Sequence, residues 1–463
     1  MNLNRWLFLA AAAGTVPGIY ARLAHTPLSP FAMAALAGIA ITCAAFLLLW
    51  ACDAAQAEIS QGLALAVVAL IAVLPEYSVD MYFTWQAGKL PDSNYASYAA
   101  ANMTGANRLV IGVGWPLIVL ITWLKSRKAV HLGKERRTEI VLLALATLYA
   151  FVIPIKGSLA WYDMVVFLGI YGYYLVLTSR RPPAEIESGG PADELAKLPR
   201  PLRRLATLGL FLFAGSAILA NSKPFCEGLI ASGTLLGVSE FVLVQWLAPV
   251  ASEAPEFIVA IMFALRGHGS IALASLLSAK LNQWTLLVGM IPGVYSVSSG
   301  SLHPLPMSAF QLEEILLTAA QSLLALFMIA NLRLSKRYAL ALFILFAAQL
   351  ISPWFLSSHH GDTFMGLQAS QLHNVFSLLY IGGALILLLE HPSRWLAVFK
   401  LNLPSNSKPE CQIALENGCH EYPNCEACPR KKPAATKSEA PSFSSGAFSP
   451  QPNTVHHGAT RPL

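Results

Sequence analysis

Two glutamates that follow prolines stand inside apolar segments of this sequence. Glu256 ends the stretch LAPVASEAPE, which also contains Glu253, and Glu76 lies in AVLPEY. Because a charged side chain at the centre of a membrane helix costs about 3 kcal/mol unless it is paired, these glutamates predict a functional site. Oxygen ligands suit hard cations such as Ca²⁺ and Na⁺. The expected chemistry is therefore the binding of a cation or a proton at Glu76 and Glu256.

Further polar residues accompany both glutamates. Asp80 lies four residues after Glu76 and shares its helix face, so it either extends the ion path or lies in a vestibule. Ser252 and Glu253 lie just before the second proline. A proline removes one backbone donor and frees a carbonyl group, which must find a partner in lipid. A bound cation is one candidate for that partner.

The elements that carry these residues are membrane helices. The chain has 463 residues, of which 55% are hydrophobic and 12% charged, and its mean hydropathy is +0.55. A soluble domain has about 25% charged residues, so this composition predicts an all-α polytopic membrane protein. We predict about twelve spans, at 6–24, 32–51, 58–86, 94–123, 138–155, 160–178, 204–221, 238–265, 269–294, 312–330, 337–356 and 370–390.

Basic residues predict the orientation of these spans. The loop at 124–137 and the connection at 179–203 are rich in Lys and Arg, whereas the loop at 296–307 contains neither. Cytoplasmic loops carry the excess of basic residues. We therefore expect an integral protein of the cell (inner) membrane, in contact with the lipid bilayer, with both termini in the cytoplasm.

The third and eighth predicted spans resemble each other. Each begins near a glutamate, runs apolar to a Pro-Glu pair and ends in MYF or IMF. The two spans run in opposite directions, which predicts two five-helix repeats of inverted topology with a binding site at their interface. The predicted parts are an extra N-terminal helix (1–31), the first repeat (32–178), a cytoplasmic linker (179–203), the second repeat (204–356), an extra C-terminal helix (357–400) and a largely disordered cytoplasmic tail (401–463).

The motifs resemble those of the sodium/calcium exchanger membrane region, within the cation/Ca²⁺ exchanger superfamily, and the chain looks like a divergent bacterial-type member. In that family each Pro-Glu core is followed by a helix with a Gly-Asn-x-x-Gly-Ser-Asn motif. The stretch ANMTGAN places Asn102, Gly105 and Asn107 on family positions. The resemblance implies alternating access. It also implies cation binding by Glu76, Glu256, Glu253, Ser252, Asn102 and Asn107.

Departures from the family pattern bear on the coupling ion. Ala72 and Val73 replace the Thr-Ser of the first core, and Glu253 stands where a serine is usual. Lys280 stands where the family has an asparagine. A lysine beside carboxylates would form a salt bridge and compete with a cation, or it would shed a proton as the coupled step. We therefore predict a coupling or salt-bridge role for Lys280, with Asp80 as the second residue of this group.

The predicted function is secondary-active antiport of Ca²⁺, or another cation, in exchange for Na⁺ or H⁺. The alternatives are a Na⁺/H⁺ antiporter and a non-transporting scaffold whose site is closed by Lys280. The sequence contains no H-E-x-x-H motif and no G-x-x-x-x-G-K-[ST] motif. These patterns give no support to a metalloprotease or an ATP-driven pump, so we expect no enzymatic activity. No nucleic-acid motif is present, and the sequence makes no prediction of oligomeric state.

The C-terminal tail contains a cluster of cysteines. The stretch CQIALENGCHEYPNCEACPR includes one C-x-x-C motif. Such a cluster either binds Zn²⁺ or holds free thiols, because stable disulfides are disfavoured in the cytoplasm. The candidate zinc ligands are Cys411, Cys419, Cys425 and Cys428.

Overall fold

Long apolar helices make up almost all of the described chain. A computed structural model describes residues 3–24, 27–56, 73–179, 190–359, 363–364, 367–368, 371–390 and 392. The helices of the first part are α1 (Leu3–Leu23), α2 (Pro30–Gln56), α3 (Leu74–Lys89), α4 (Tyr95–Ser126), α5 (Arg137–Ala150), α6 (Val152–Lys156), α7 (Trp161–Ser179) and α8 (Ala192–Ala196). Those of the second part are α9 (Arg200–Leu236), α10 (Glu240–Arg266), α11 (Gly269–Ser299), α12 (Ala309–Ile329), α13 (Lys336–His359) and α14 (Leu372–Glu390).

The helical, polytopic fold class is confirmed. Within the described ranges, ten helices are long and apolar enough to cross a membrane. The third predicted span begins in residues 57–72, which lie outside the described part, so the total of twelve stays a prediction. One boundary was wrong, because α9 extends over 37 residues to Leu236 and not to residue 221. Asn221 and Ser222 donate hydrogen bonds to carbonyls one turn back, so this polar stretch continues the helix.

Two long helices share an unusual feature at equivalent positions. α4 contains a π-helical segment at Val110–Gly114, and α11 contains one at Gln283–Leu287. The first segment begins three residues after Asn107 and the second three residues after Lys280. π-helical turns are rare and are often found at functional sites. Their matched positions support the pairing of α4 with α11 as corresponding helices of the two repeats.

Short pairings between loops group the helix ends in the way the topology predicts. Strand β1 (Val130–His131) follows α4 and pairs antiparallel with β2 (Arg333–Leu334), which follows α12. At the other end, the loops after α6 and after α11 meet where the Leu305 N–H donates to the Leu159 carbonyl at 2.9 Å. The loops predicted on one side of the membrane therefore lie together. A further hairpin joins β3 (Thr363–Phe364) and β4 (Leu367–Gln368).

α10 continues without a break through both of its prolines. Pro255 frees the carbonyl of Ala251, and that oxygen accepts a hydrogen bond from Thr42 Oγ1 at 2.8 Å. The carbonyl group that Pro255 frees is thus bound by a hydroxyl group of α2. From the sequence alone, a cation was one candidate for this partner. Pro249 frees the carbonyl of Gln245, and this carbonyl oxygen faces α4.

Gly105 allows α4 to approach this second carbonyl closely. A Cβ atom at position 105 would lie 1.8 Å from the Gln245 oxygen, which is far inside contact distance. Since the obstacle is backbone, it cannot move away as a flexible side chain would. Close packing therefore explains the glycine of the family motif at this position, where α4, which carries Asn107, crosses α10, which carries Glu253.

A buried ion pair between α4 and α12, which α14 contacts through His373, was not predicted. Arg108 of α4 pairs with Glu314 of α12, and both side chains are almost fully buried. Glu314 also accepts from Gln245 Nε2 at 2.9 Å and lies 2.9 Å from His373 Nε2 of α14. Glu314 is thus part of a polar network, whereas its position at a helix start suggested only a favourable terminus. The guanidinium of Arg108 additionally lies over the Trp246 ring, at 5.1 Å.

We expect Gly105→Ala to destabilise the protein by at least about 2 kcal/mol, because small-to-large changes in a packed interior cost about 1–3 kcal/mol and the obstacle here is rigid. The measurement is thermal unfolding of the purified protein in detergent. Gly172→Ala is the matched control, since a Cβ atom there meets nothing within 4 Å. Equal melting temperatures for the two variants would contradict this explanation of Gly105.

Candidate functional site

Four carboxyl groups lie together where α3 and α10 cross α4 and α11. Glu76 lies in the first turn of α3, and Asp80 lies one turn later. Glu253 and Glu256 lie one turn apart on α10. Glu76 is within electrostatic range of the other three. The structure thus brings together the two Pro-Glu glutamates and the two additional acids that the sequence singled out.

Burial makes this cluster unlike a solvated group of surface acids. Glu76, Asp80 and Glu253 are each at most 4% exposed, whereas Glu256 is partly exposed. In a low-dielectric interior, neighbouring negative charges repel strongly unless protons or cations neutralise them. The cluster is therefore suited to bind positive charge.

Several buried oxygens of the site have no hydrogen-bond partner among the described residues. They are Glu76 Oε1, Asp80 Oδ2, Asn102 Oδ1, both carboxylate oxygens of Glu253 and Gln283 Oε1. Buried polar atoms are normally hydrogen-bonded, so this concentration indicates acceptors kept for a ligand. Carboxylate and amide oxygens are the ligands that Ca²⁺ prefers. In the described ranges, no three acidic, histidine or cysteine side chains are grouped tightly enough to hold a metal ion by themselves.

The predicted asparagines have different partners. Asn102 is fully buried and its Nδ2 donates to Asp80 Oδ1 at 3.3 Å, which orients this carboxylate. Asn107 is also buried, but its Nδ2 donates to the Met103 carbonyl and its Oδ1 accepts from Lys280. The geometry therefore favours Asn102 as a site residue more than Asn107, whose role as a direct ligand stays a prediction.

Lys280 does not form the predicted salt bridge. Its fully buried ammonium donates to Asn107 Oδ1 at 2.7 Å and lies 4.4 Å from the centre of the Trp284 ring. Within the described part of the chain, no ion pair joins Lys280 to Glu253 or Glu256. The lysine still interacts electrostatically with Glu253, at longer range. The amide of Asn107 and the face of the indole ring hold the ammonium away from direct contact with the acids.

The two remaining groups of predicted residues differ in outcome. Ser252 is buried beside Glu253, and its hydroxyl donates back to the Ala248 carbonyl at 3.1 Å, which leaves its oxygen as an acceptor. The four tail cysteines, Cys411, Cys419, Cys425 and Cys428, lie outside the described residues. A zinc site there stays a prediction.

Gln283 is the site residue to which sequence reasoning gave too little weight. It is 1% exposed, begins the π-helical segment of α11 and lies close to both Glu76 and Glu253. A rotated helical turn cannot be read from residue spacing. The only signal in the sequence was an amide three residues after the unexpected lysine.

We expect Asn107→Ala to lower stability by about 1–3 kcal/mol, because the variant leaves the buried ammonium of Lys280 without its nearest acceptor. Lys280→Met in the same background should recover part of this loss, since it removes the unpaired charge. The measurement is a double-mutant cycle on the unfolding of the purified protein. Effects of the two changes that add within about 0.5 kcal/mol would contradict the pairing.

Comparison with known proteins identifies the family. The family described as "sodium/calcium exchanger protein" matches residues 29–180 and 206–355, one match for each repeat. A crystal structure of the H⁺/Ca²⁺ exchanger CAX is 41% identical, with a TM-score of 0.79, and the alignment covers 86% of this chain and 97% of that one.

Two curated relatives match more distantly. The putative antiporter CaxA of Alkalimonas amylolytica is 24% identical over 262 residues, which are 55% of this chain and 77% of that protein. The sodium/calcium exchanger MaX1 of Methanosarcina acetivorans is 30% identical over 97 residues, which are 21% of this chain and only 25% of that protein. Since the family match covers well over half of the sequence, in two copies, this chain belongs to the sodium/calcium exchanger protein family and is an integral membrane cation antiporter.

Proposed function

We propose that this protein exchanges Ca²⁺ for H⁺ at the cluster formed by Glu76, Asp80, Glu253 and Glu256. The observation that carries the proposal is the burial of Glu76, Asp80 and Glu253, beside the partly exposed Glu256, among amide and carboxylate oxygens that have no hydrogen-bond partner in the described residues. One Ca²⁺ ion offsets two negative charges, and two protons on the same carboxyl groups offset the same charge. The site can therefore alternate between the two cargoes without a large change in its net charge.

The residue types around the cluster favour protons over sodium as the counter-ion. A site for Na⁺ needs neutral oxygen ligands that stay in place when Ca²⁺ leaves. In this sequence, Ala72 and Val73 replace the Thr-Ser of the first family core with hydrocarbon side chains. Lys280 adds a positive charge within electrostatic range of Glu253, which disfavours a second bound cation. The name of the 41% identical relative, an H⁺/Ca²⁺ exchanger, points in the same direction.

In the proposed mechanism, Glu76 and Glu256 bind the cation directly, from opposite repeats. Glu253, Asp80 and the amide oxygens of Asn102 and Gln283 complete the oxygen shell, with Ser252 at its edge. The repeats at 32–178 and 204–356 then rearrange around the site and expose it to each side in turn.

The remaining segments have proposed roles of their own. Residues 179–203 act as the linker, 1–31 and 357–400 supply the extra helices, and 401–463 form the tail. We place the protein in the cell membrane with both termini in the cytoplasm, on the distribution of Lys and Arg.

The scaffold alternative required Lys280 to close the site. In the described residues its ammonium is held by Asn107 and Trp284, and both carboxylate oxygens of Glu253 are left without partners. We therefore retain antiport and assign Lys280 a coupling role, because it lies within electrostatic range of Glu253.

The test is ⁴⁵Ca²⁺ uptake into proteoliposomes under imposed gradients. We expect an outward proton gradient to drive uptake, because protons leave as Ca²⁺ enters, and we expect collapse of that gradient to abolish it. An outward Na⁺ gradient at constant pH should give no uptake above empty vesicles. Uptake driven by Na⁺ alone would contradict the assignment of the counter-ion.

Separate variants test the assignment of the site. The charge of the ligands tunes Ca²⁺ affinity over orders of magnitude, so Glu76→Gln and Glu256→Gln should each lower proton-driven uptake roughly a hundredfold. Glu227→Gln is the matched control, because Glu227 is an exposed carboxylate on α9 that accepts from Tyr82. Flux that survives the Glu76→Gln, Glu256→Gln double substitution would show that the cation binds elsewhere.

A further inference from the structure

A strongly basic cavity lies at the membrane end where α4 finishes and α13 begins. Its volume is about 500 Å³. Four cationic side chains and two aromatic side chains take part in its lining: Arg127, Arg333, Lys336, Arg337, Trp123 and Tyr338. None of the residues that line it is acidic. Within the described part of the chain, no ion pair neutralises any of the four cations.

The four cationic residues are exposed, and two of them lie against the same aromatic ring. The Arg127 guanidinium lies 4.4 Å from the centre of the Trp123 ring, and Lys336 Nζ lies 3.8 Å from the same point. Two positive groups on one ring repel each other, so an anion between them would be stabilised. A general excess of basic residues on one side of the membrane would explain why positive charge is found here. It would not explain why four cationic residues line the same cavity.

The backbone around the cavity also brings the basic residues together. The pairing of β1 with β2 sets the Arg333 loop against the loop that follows Arg127. Arg127 and Leu332, with φ of 57° and 59°, are the non-glycine residues with positive φ in the described ranges. α13 begins at Lys336, so its amino end adds backbone N–H groups and a positive partial charge.

We propose that this cavity binds the phosphate group of an anionic phospholipid. Arginine side chains match phosphate oxygens in pairs, and lysine adds a mobile point charge. The cavity lies at the ends of two membrane helices, and tryptophan and tyrosine are typical of that level of the bilayer. Beyond it, Leu124 and Leu340 are 57% and 58% exposed and offer apolar surface to acyl chains. These exposed leucines favour a lipid over a soluble phosphate compound.

The cavity also joins the two repeats, because α4 belongs to the first and α13 to the second. A headgroup bound there would bridge helices from both halves at one end of the molecule. The proposal is independent of which ions the protein exchanges, since none of the carboxylates of the transport site lines the cavity.

The test uses the full chain in nanodiscs that contain phosphatidylcholine with increasing phosphatidylglycerol. Native mass spectrometry then counts the lipids that stay bound. We expect one phosphatidylglycerol per chain to be retained. A direct hydrogen bond between a cation and a phosphate contributes about tenfold or more to binding, so R333Q/K336Q, which removes two such cations from the cavity, should weaken retention about 100-fold.

K128Q/K134Q is the matched control. It removes the same charge from two residues that do not line the cavity and make no direct contact with a lipid bound there, so only a screened surface effect is lost and we expect retention to weaken at least about fivefold less than in R333Q/K336Q. Both variants must keep the melting temperature of the wild type in pure phosphatidylcholine. Equal loss of lipid in both variants, or no preference for phosphatidylglycerol in the wild type, would overturn the site.

A competition arm separates lipid from soluble phosphate. We expect glycerol phosphate at millimolar concentration to leave the bound lipid in place, because it lacks acyl chains. Displacement of the lipid by glycerol phosphate, with the same dependence on Arg333 and Lys336, would overturn the lipid assignment in favour of a soluble phosphate ligand.

Discussion

The structure depends on one constraint: several carboxyl groups are buried in a region without enough positive charge to pair with them. Glu76, Asp80 and Glu253 are at most 4% exposed, and the one nearby ammonium is held by Asn107. Such a group of acids is stable only while protons or a cation accompany it. The proposed antiport follows from this constraint, because a site that needs either a cation or protons can exchange one for the other.

Contacts between the surrounding helices account for the two carbonyls that the prolines of α10 release and for a buried ion pair. Thr42 donates a hydrogen bond to the Ala251 carbonyl, which Pro255 leaves without its helical partner. Gly105 lets α4 pack closely against the Gln245 carbonyl, which Pro249 leaves in the same way. The buried pair of Arg108 and Glu314 is completed by Gln245 and His373. Removing one partner of a buried ion pair destabilises a protein much more than the intact pair stabilises it. These contacts give the crossing of α4 with α10 a defined geometry.

The sequence predicted the parts of this arrangement that have a local signature. Acids in apolar segments, a repeated Pro-Glu pair and the distribution of Lys and Arg were enough for the fold class, the two repeats and the glutamates of the site. Contacts between distant segments were not readable. The bond from Lys280 to Asn107 spans 173 residues, and Gln283 of α11 lies near Glu76 of α3, more than 200 residues away in the sequence. The length of α9 was also missed, since Asn221 and Ser222 are polar but donate hydrogen bonds to carbonyls of their own helix.

The central claim is that Ca²⁺ and protons compete for the same buried carboxyl groups. The most direct measurement is the number of protons released when Ca²⁺ binds to the purified protein in weakly buffered detergent solution, followed with a pH-sensitive dye. The account predicts proton release that saturates with Ca²⁺ binding and that is unaffected by Na⁺. Calcium binding without any release of protons, or displacement of bound Ca²⁺ by Na⁺ at constant pH, would contradict it.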